Sequence, residues 1–252
     1  MTFFAVIARG LIRRPVRTGL TLVGISIGIA AVVALVGMSR GFVASWTAGM
    51  KSRGTDIVVH NMRGSLTPKP FPAAVRDRIA HLPGVAATCS ILVELMSIEN
   101  SEMMIVSARE WGGFSWASLK VLAGRLPRDA SERAVVLGKT AAEVLGKKIG
   151  DTLQMETEEL TVTGIVDGGA MVENGSVILS LSLLQELMDN RGRINVIDVR
   201  VAPGMDEAGM RLLSEDDMKR LCVQINSVVP EARAMIAGEH VGNSEAYRFI
   251  TR

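Results

Sequence analysis

Two short motifs in this chain match patterns that carry out chemistry in other proteins. Gly37-Met-Ser-Arg-Gly41 fits G-x-S-x-G, whose serine is a nucleophile when it lies on a turn between a strand and a helix. Here the motif closes a long apolar run, so Ser39 is not predicted to be a nucleophile. Gly138-Lys-Thr140 resembles the end of the phosphate-binding pattern G-x-x-x-x-G-K-S/T, but the first glycine would fall on Arg133. The chain itself is therefore not predicted to bind ATP.

The other reactive side chains are scattered along the sequence. His60, His81 and His240 have neither the H-E-x-x-H spacing nor the Cys/His spacing of a zinc site. Structural interpretations account for three further motifs: a helix-start charge pair at Asp216-Asp217, a turn at Asn174-Gly-Ser176, and core filler at Met103-Met104. The sequence thus predicts no catalytic, cofactor-binding or metal-binding residue.

An uncharged run from Thr18 to Ser39 dominates the N-terminal part of the chain. It holds 22 residues without a charge, a proline or an aromatic ring. As a helix it would be about 33 Å long, enough to cross the hydrocarbon core of a bilayer. A cleaved signal peptide has a shorter apolar region and a small-x-small cleavage site, which is absent here. A buried core helix is a poorer interpretation because several arginines precede the run. We predict a transmembrane helix over 18–39.

The charges that flank this helix predict its orientation. Arg9, Arg13, Arg14 and Arg17 precede it, and no acidic residue lies among them. Because cytoplasmic flanks collect Lys and Arg, the N-terminus is expected in the cytoplasm and residues 42–252 outside it. Residues 1–17 form the cytoplasmic flank. Within it, 3–14 is either a short helix at the membrane interface or a disordered segment.

Small residues in the apolar run predict contacts with other membrane helices. Gly24 and Gly28 form a GxxxG step, and Ala30 and Ala34 continue a small-residue pattern together with Ser26. Small side chains let helix backbones approach closely in lipid. These residues are therefore the predicted packing positions.

Charge and cysteine content describe the exported part. The chain has a formal charge of +2, but five arginines and no acid lie in residues 1–41, so residues 42–252 carry a net charge of −3. With aromatic residues at only 4% and no basic cluster, a nucleic-acid partner is not predicted. A disulfide between Cys89 and Cys222 is permitted outside the cytoplasm, but the apolar surroundings of both favour buried free thiols.

Periodicity predicts an α+β fold for the exported part, residues 42–252. A strand–helix–strand pattern occurs twice, at about 50–110 and 190–240, and a β-rich insertion lies between the two at about 120–180. The repeat suggests two βαβ-like halves that flank the insertion. We predict helices at 73–82, 140–145 and 182–188, from Ser214 onward, and at 244–252.

Several segments resemble FtsX-like ABC transporter permeases of the MacB type. They are Arg13-Arg-Pro-Val-Arg-Thr-Gly-Leu-Thr-Leu-Val-Gly-Ile-Ser-Ile-Gly-Ile-Ala30, Leu122-Ala-Gly-Arg-Leu126, Glu132-Arg-Ala-Val-Val-Leu-Gly138, Leu145-Gly-Lys-Lys-Ile-Gly-Asp-Thr-Leu153 and Val162-Thr-Gly-Ile165. The resemblance covers most of the chain. It implies an extracytoplasmic core in which a split α/β part is interrupted by a β-rich insertion.

The resemblance also implies a function without bond chemistry. A permease subunit of the bacterial cytoplasmic (inner) membrane would couple ATP hydrolysis in a separate ATPase subunit to movement of its extracytoplasmic domain, for export or extraction of a substrate. Its partners would be that ATPase, other permease helices or a second copy, the lipid bilayer and an extracytoplasmic adaptor. Such permeases have three further membrane helices, which this sequence lacks. A single-pass anchored binding or adaptor module is therefore the alternative, and a membrane-tethered hydrolase is a more remote one.

Overall fold

The computed structural model describes residues 15–61, 67–99, 102–206, 209–211 and 214–237. The chain divides into two compact units, Met1–Ala44 and Ser45–Arg252. The predicted interfacial segment 3–14 and the predicted helix 244–252 lie outside the described residues.

The first described helix, α1, spans Pro15–Ser52 and carries the uncharged run. Within α1, residues Pro15–Gly41 form a segment long and apolar enough to cross a membrane, and its most apolar part is not buried against the rest of the chain. The predicted apolar helix is thus confirmed. At 1.5 Å per residue, the 38 residues of α1 extend for about 57 Å, well beyond the roughly 30 Å of a hydrocarbon core. The last turns of α1 therefore exceed what the membrane needs.

A ten-stranded sheet forms the second unit, in the order β14-β1-β11-β3-β4-β9-β6-β8-β5, with β7 pairing to both β3 and β8. Two small pairs, β2–β10 and β12–β13, lie apart from it. The strands are β1 (Ile57–His60), β2 (Phe71–Pro72), β3 (Val85–Ile98), β4 (Glu102–Arg109), β5 (Lys120–Gly124), β6 (Ala134–Gly138), β7 (Thr152–Met155), β8 (Glu158–Asp167), β9 (Ser176–Ser180), β10 (Arg193–Ile194), β11 (Val196–Val201), β12 (Gly204–Asp206), β13 (Gly209–Arg211) and β14 (Arg233–Ile236). The remaining helices are α2 (Val75–Ala80), α3 (Phe114–Ala117), α4 (Lys139–Leu145), α5 (Met171–Asn174), α6 (Leu181–Leu187) and α7 (Glu215–Val228).

Four strands and two helices, β1, β3, β11, β14, α2 and α7, make up what we call the split part. Strand β1 is antiparallel to both β11 and β14, and β11 is antiparallel to β3. Each half is therefore a strand–helix–strand unit whose two strands are parallel and separated by a strand of the other half, the split βαβ arrangement. This confirms the two predicted βαβ-like halves. Their helices bury Ile79, Leu221 and Ile225 against the sheet.

Helix α7 shows how the local sequence fixes an element of this part. The Ser214 hydroxyl accepts from the backbone N–H of Asp217, and the Asp217 carboxylate accepts from the Ser214 N–H, so the two form a capping box. The interpretation of Asp216-Asp217 as helix-start charges is thereby confirmed.

The insertion, residues 120–180, continues the same sheet. Strand β4 pairs with β3 of the split part on one side and, in parallel, with β9 of the insertion on the other. Helices α4 and α6 cover one face with Ala141, Leu183 and Leu184, and Trp116 and Ile178 belong to a second, smaller core cluster. The β-rich insertion was expected, but its continuity with the split part was not.

Two local expectations differ from the structure. The glycine and proline of residues 124–127 predict a turn, but Gly124 also ends an edge strand, β5, that was not predicted. All five residues of β5 are exposed, so its sequence lacks the alternation that marks a half-buried strand. Met104 is buried as core filler, but Met103 is 62% exposed because neighbouring residues of β4 face opposite sides of the sheet. Cys89 and Cys222 are both buried, and no disulfide joins them.

Candidate functional site

The predicted packing residues lie on α1. Gly24, Gly28, Ala30 and Ala34 are exposed along it, and a β-carbon at either glycine would meet nothing within 4 Å. At about 100° per residue, the two glycines share one side of the helix, whereas the two alanines lie roughly 120° around it. The predicted packing positions therefore form two stripes along α1. Of the flanking arginines, Arg17 is exposed on α1, and Arg9, Arg13 and Arg14 lie outside the described residues.

The two motifs with possible chemistry have other structural roles. Ser39 lies inside α1 and not on a strand-to-helix turn. Gly138 ends β6 directly before α4, and a β-carbon there would overlap the backbone carbonyls of Glu173 and Asn174. The glycine thus permits close approach of two backbones. Across the described ranges, no group of three or more His, Cys, Asp or Glu side chains could hold a metal ion.

Residues 53–56, which we call the exit segment, follow the last residue of α1 and are fixed to the split part. Gly54 has a φ of +70°, and its carbonyl accepts a hydrogen bond from Arg200 Nε at 3.2 Å. The Thr55 hydroxyl donates to Asp198 Oδ2 at 3.0 Å. The Asp56 carboxylate accepts from the Val201 N–H at 2.8 Å. The chain is therefore held closely as soon as it leaves the helix.

Four charged side chains, Arg53, Arg109, Glu173 and Asp198, form a buried ion cluster beside the exit segment. Arg53 Nη1 donates to Glu173 Oε1 at 2.7 Å, and its Nε lies 3.9 Å from Asp198 Oδ2. Arg109, which is fully buried, pairs with the second oxygen of Glu173 and donates to the Ser115 carbonyl at 2.8 Å. Two cations thus balance two carboxylates where water is excluded, and such charges are stable only while they remain paired.

The ion cluster favours the charged forms of Arg53 and Glu173. Burial alone would lower the pKa of Arg53, but the carboxylates of Glu173 and Asp198 outweigh it and raise that pKa. Burial alone would raise the pKa of Glu173, whereas the guanidinium groups of Arg109 and Arg53 bring it below its ordinary value. Burial raises the pKa of the nearby Cys89 thiol, whose sulfur lies 3.0 Å from the Ser115 hydroxyl. The thiol therefore stays protonated at neutral pH.

Glu173 is held rigidly within the insertion. It lies on α5, between the end of β8 and the start of β9. A β-carbon at Gly168 would overlap the Glu173 side chain, and the Asn174 side-chain oxygen accepts from the Gly168 N–H at 2.9 Å. Because Gly138 also packs on the carbonyls of this turn, Glu173 lies in close contact with the ends of β6 and β8.

Sequence reasoning missed all four members of the ion cluster. They are distributed over almost 150 residues and become neighbours only through the fold. One signal was present, because Asp198 interrupts an apolar strand, and a charge at such a position requires a buried partner. The identity of that partner could not be predicted from local spacing.

Comparison with known proteins agrees with this architecture. The family model described as MacB-like periplasmic core domain matches residues 18–213. The chain belongs to this family. The MacB-like match begins in the apolar helix and extends through the insertion into the second half of the split part.

Curated relatives of this MacB-like chain are membrane transport proteins. It is 26% identical over 224 residues to the macrolide export ATP-binding/permease protein MacB of Nitrobacter winogradskyi. The aligned region covers 84% of this chain and 32% of the relative. It is 27% identical over 198 residues to an uncharacterized ABC transporter permease of Mycobacterium tuberculosis. This aligned region covers 75% of the chain and 53% of the relative. The chain thus spans about a third to a half of the length of the curated relatives it matches.

A solved structure has the same fold. The periplasmic region of MacB from Actinobacillus actinomycetemcomitans superposes with a TM-score of 0.56 at 16% sequence identity, covering 77% of this chain and 96% of that one. At this identity the likeness establishes the fold alone. It supports the mixed α/β architecture described above for the MacB-like chain.

Proposed function

We propose that this chain is part of an ABC transporter permease that couples ATP hydrolysis in a separate ATPase subunit to movement of its extracytoplasmic domain. The observation that carries the proposal is the family match over residues 18–213, which includes both the apolar helix and the sheet-rich unit. The curated relatives are named as permeases or as an ATP-binding/permease protein, which supports a role in the membrane part of an ABC transporter.

The proposed setting is the bacterial cytoplasmic membrane, with the N-terminus inside and residues 42–252 outside. The arginine-rich flank before the helix supports this orientation, since Arg and Lys collect on the cytoplasmic side. Gly24, Gly28, Ala30 and Ala34 are the proposed contacts with other permease helices or with a second copy. The two small-residue stripes give α1 room for neighbouring helices on more than one side. An extracytoplasmic adaptor is a further proposed partner.

Purification from native membranes tests the ATPase partner. The chain, tagged and expressed in its source organism at native level, is extracted in mild detergent, and co-purifying proteins are identified by mass spectrometry. We expect an ABC ATPase and vanadate-sensitive ATP hydrolysis in the same fraction. As a control, a tagged version in which an unrelated single-span helix replaces residues 15–41 should lose the ATPase, because its helix lacks the proposed contacts.

Two results would contradict the proposal. One is the absence of any ATPase from the fraction under conditions in which a known permease retains its own. The other is equal recovery of the ATPase with the replaced helix. Tight binding of an extracytoplasmic ligand without an ATPase would instead support the anchored binding module.

A further inference from the structure

We propose that Arg53 is a two-position latch, held by Glu173 in this structure and able to move to Asp198, so that displacement of α1 is transmitted to the insertion. The transmission role rests on the proposed permease function, whereas the two positions rest on geometry alone. All four members of the ion cluster lie in the unit Ser45–Arg252.

Arg53 is placed between two different parts of the fold. It directly follows Ser52, the last residue of α1, so any axial movement of the helix end reaches it through a single peptide bond. Glu173 belongs to the insertion, and Asp198 belongs to β11 in the split part. The guanidinium group therefore connects the end of α1 to the insertion when it binds Glu173, and to the split part when it binds Asp198.

The present arrangement leaves a second one available. In the described part of the chain, Arg53 Nε and Asp198 Oδ1 are buried without a hydrogen-bond partner. The Arg53 Nε atom is 3.9 Å from Asp198 Oδ2, about 1 Å beyond the roughly 2.9 Å of a hydrogen bond. A small movement toward Asp198 would satisfy Arg53 Nε with a charge-assisted bond. The second position would pair Arg53 Nε and release Glu173 Oε1, so the two positions use different donor and acceptor atoms.

Glu173 tolerates the exchange because it has another partner. When Arg53 leaves, Arg109 still pairs with the second oxygen of Glu173, so the carboxylate keeps a counter-charge. While Arg53 stays, Glu173 is clamped from two sides and its turn is packed against Gly138 and Gly168. Movement of Arg53 therefore either pulls the ends of β6 and β8 or releases them. This gives the latch two discrete outcomes, as a switching element requires.

Arginine side-chain NMR on the full chain in lipid nanodiscs tests the two positions directly. The readout is the Nε–Hε signal of Arg53, assigned by loss of the peak in Arg53→Lys. In Glu173→Gln, where the favoured carboxylate is neutral, we expect this Hε to bond to Asp198 and its exchange with water to slow about tenfold. In Asp198→Asn we expect no such slowing.

Matched variants separate the latch from a general loss of stability. Glu158→Gln removes a surface ion pair to Arg133, 2.6 Å long, and should leave the Arg53 signal unchanged. Glu173→Asp keeps the charge and shortens the side chain, so it should give the same protection as Glu173→Gln, to a smaller degree, if the neutral variant fails to fold.

A distance measurement tests transmission. Spin labels at Ala44 near the end of α1 and at exposed Val144 on α4 report on helix and insertion. A second pair, Val144 with exposed Val223 on α7, serves as reference. With Cys89 and Cys222 replaced by alanine, Glu173→Gln should shift or broaden the 44–144 distance by at least about 1 Å, the extra distance that Arg53 must travel. The 144–223 distance should stay as in the parent.

The inference is overturned if Arg53 Hε exchange is the same in Glu173→Gln, Glu173→Asp and the parent, or if all label distances broaden together. Neither measurement needs an ATPase. Failure to find an ATPase partner would therefore remove the proposed function but not the two positions, and an unchanged Arg53 signal would remove the latch but not the permease assignment.

Discussion

Glu132 fixes the loop between β5 and β6 and predicts a pH effect. Its carboxylate accepts from Arg125 at 2.5 and 3.0 Å and also from the Arg128 N–H. The hydrogen bonds from Arg125 and then from the Arg128 amide lower the pKa of Glu132 to about 2. Because the unfolded carboxylate binds its proton at higher pH, the stabilisation is present above an ordinary pKa of about 4.3 and is lost as the pH falls toward 2.

We therefore expect Glu132→Gln to lower the urea midpoint at pH 7 and to reduce the fall in that midpoint between pH 5 and pH 2. The effect should stay below about 1 kcal/mol, since the pair is partly exposed and screened. Glu159→Gln, an exposed carboxylate on β8, is the control and should follow the parent at every pH. Parallel pH profiles for Glu132→Gln and the parent would show that the loop contributes nothing to acid sensitivity. The measurement is urea unfolding followed by circular dichroism.

Individual residues differ in how far sequence alone predicts their role. Ser214 and Asp217 act over three positions of one helix start, so their capping role is visible from spacing. The partners Arg53 and Glu173 are 120 residues apart, and only the completed sheet brings them together. Local rules therefore predict caps and turns but not a buried ion cluster.

At the scale of elements, the glycine stripe of α1 predicts a response to added bulk. Gly24→Leu with Gly28→Leu should weaken crosslinking to partner membrane helices by closing the site of nearest backbone approach, while membrane insertion persists. Ile25→Leu with Ile29→Leu is the matched control, because it keeps side-chain volume on a side away from the glycines. The measurement is crosslinking in native membranes from probes along α1. Equal crosslinking in both double variants would mean that the glycine step is a chance match.

Strands with buried residues are easier to predict from the sequence than strands that are fully exposed. Strands such as β6 and β9 are buried at every residue and appear in the sequence as short apolar runs between turns. Strand β5 is fully exposed at the sheet edge, where only backbone pairing to β8 defines it. Hydrophobic periodicity reports burial, so it does not detect a strand that has none.

At the scale of the molecule, the proposed orientation can be tested with fusions. Reporter domains that are active only outside the cytoplasm, placed at Gly54 and at the C-terminus, should both be active, and a cytoplasmic fluorescent reporter at the N-terminus should fluoresce. Arg13→Gln, Arg14→Gln and Arg17→Gln together should reduce this asymmetry, since they remove most of the flank's positive charge. A cytoplasmic signal from either downstream fusion would contradict the topology.

The whole fold was only half predictable for a topological reason. Repetition of strand, helix and strand at 56–98 and 195–236 indicates the two halves, but nothing in either segment shows that β11 lies between β1 and β3. That interleaving, and the continuous sheet through β4 and β9, depend on long-range pairing. Sequence patterns therefore predict where strands lie in the chain but not which strands pair with each other in the sheet.

The interleaved halves set an order of events during synthesis. Among the described strands, β1 pairs with β11 and β14 alone, and Ile57 pairs with Val199, 142 residues later. At 5–20 residues per second a ribosome needs roughly 7 to 28 s to make that interval. During this interval the apolar strand β1 (Ile57–His60) has been synthesised but has no sheet partner. Strands β3 and β4, by contrast, can form their hairpin as soon as both are made. The nascent chain therefore exposes the apolar strand β1 early and pairs it late. A chaperone that binds extended apolar segments should aid this protein more than one whose paired strands are adjacent in sequence.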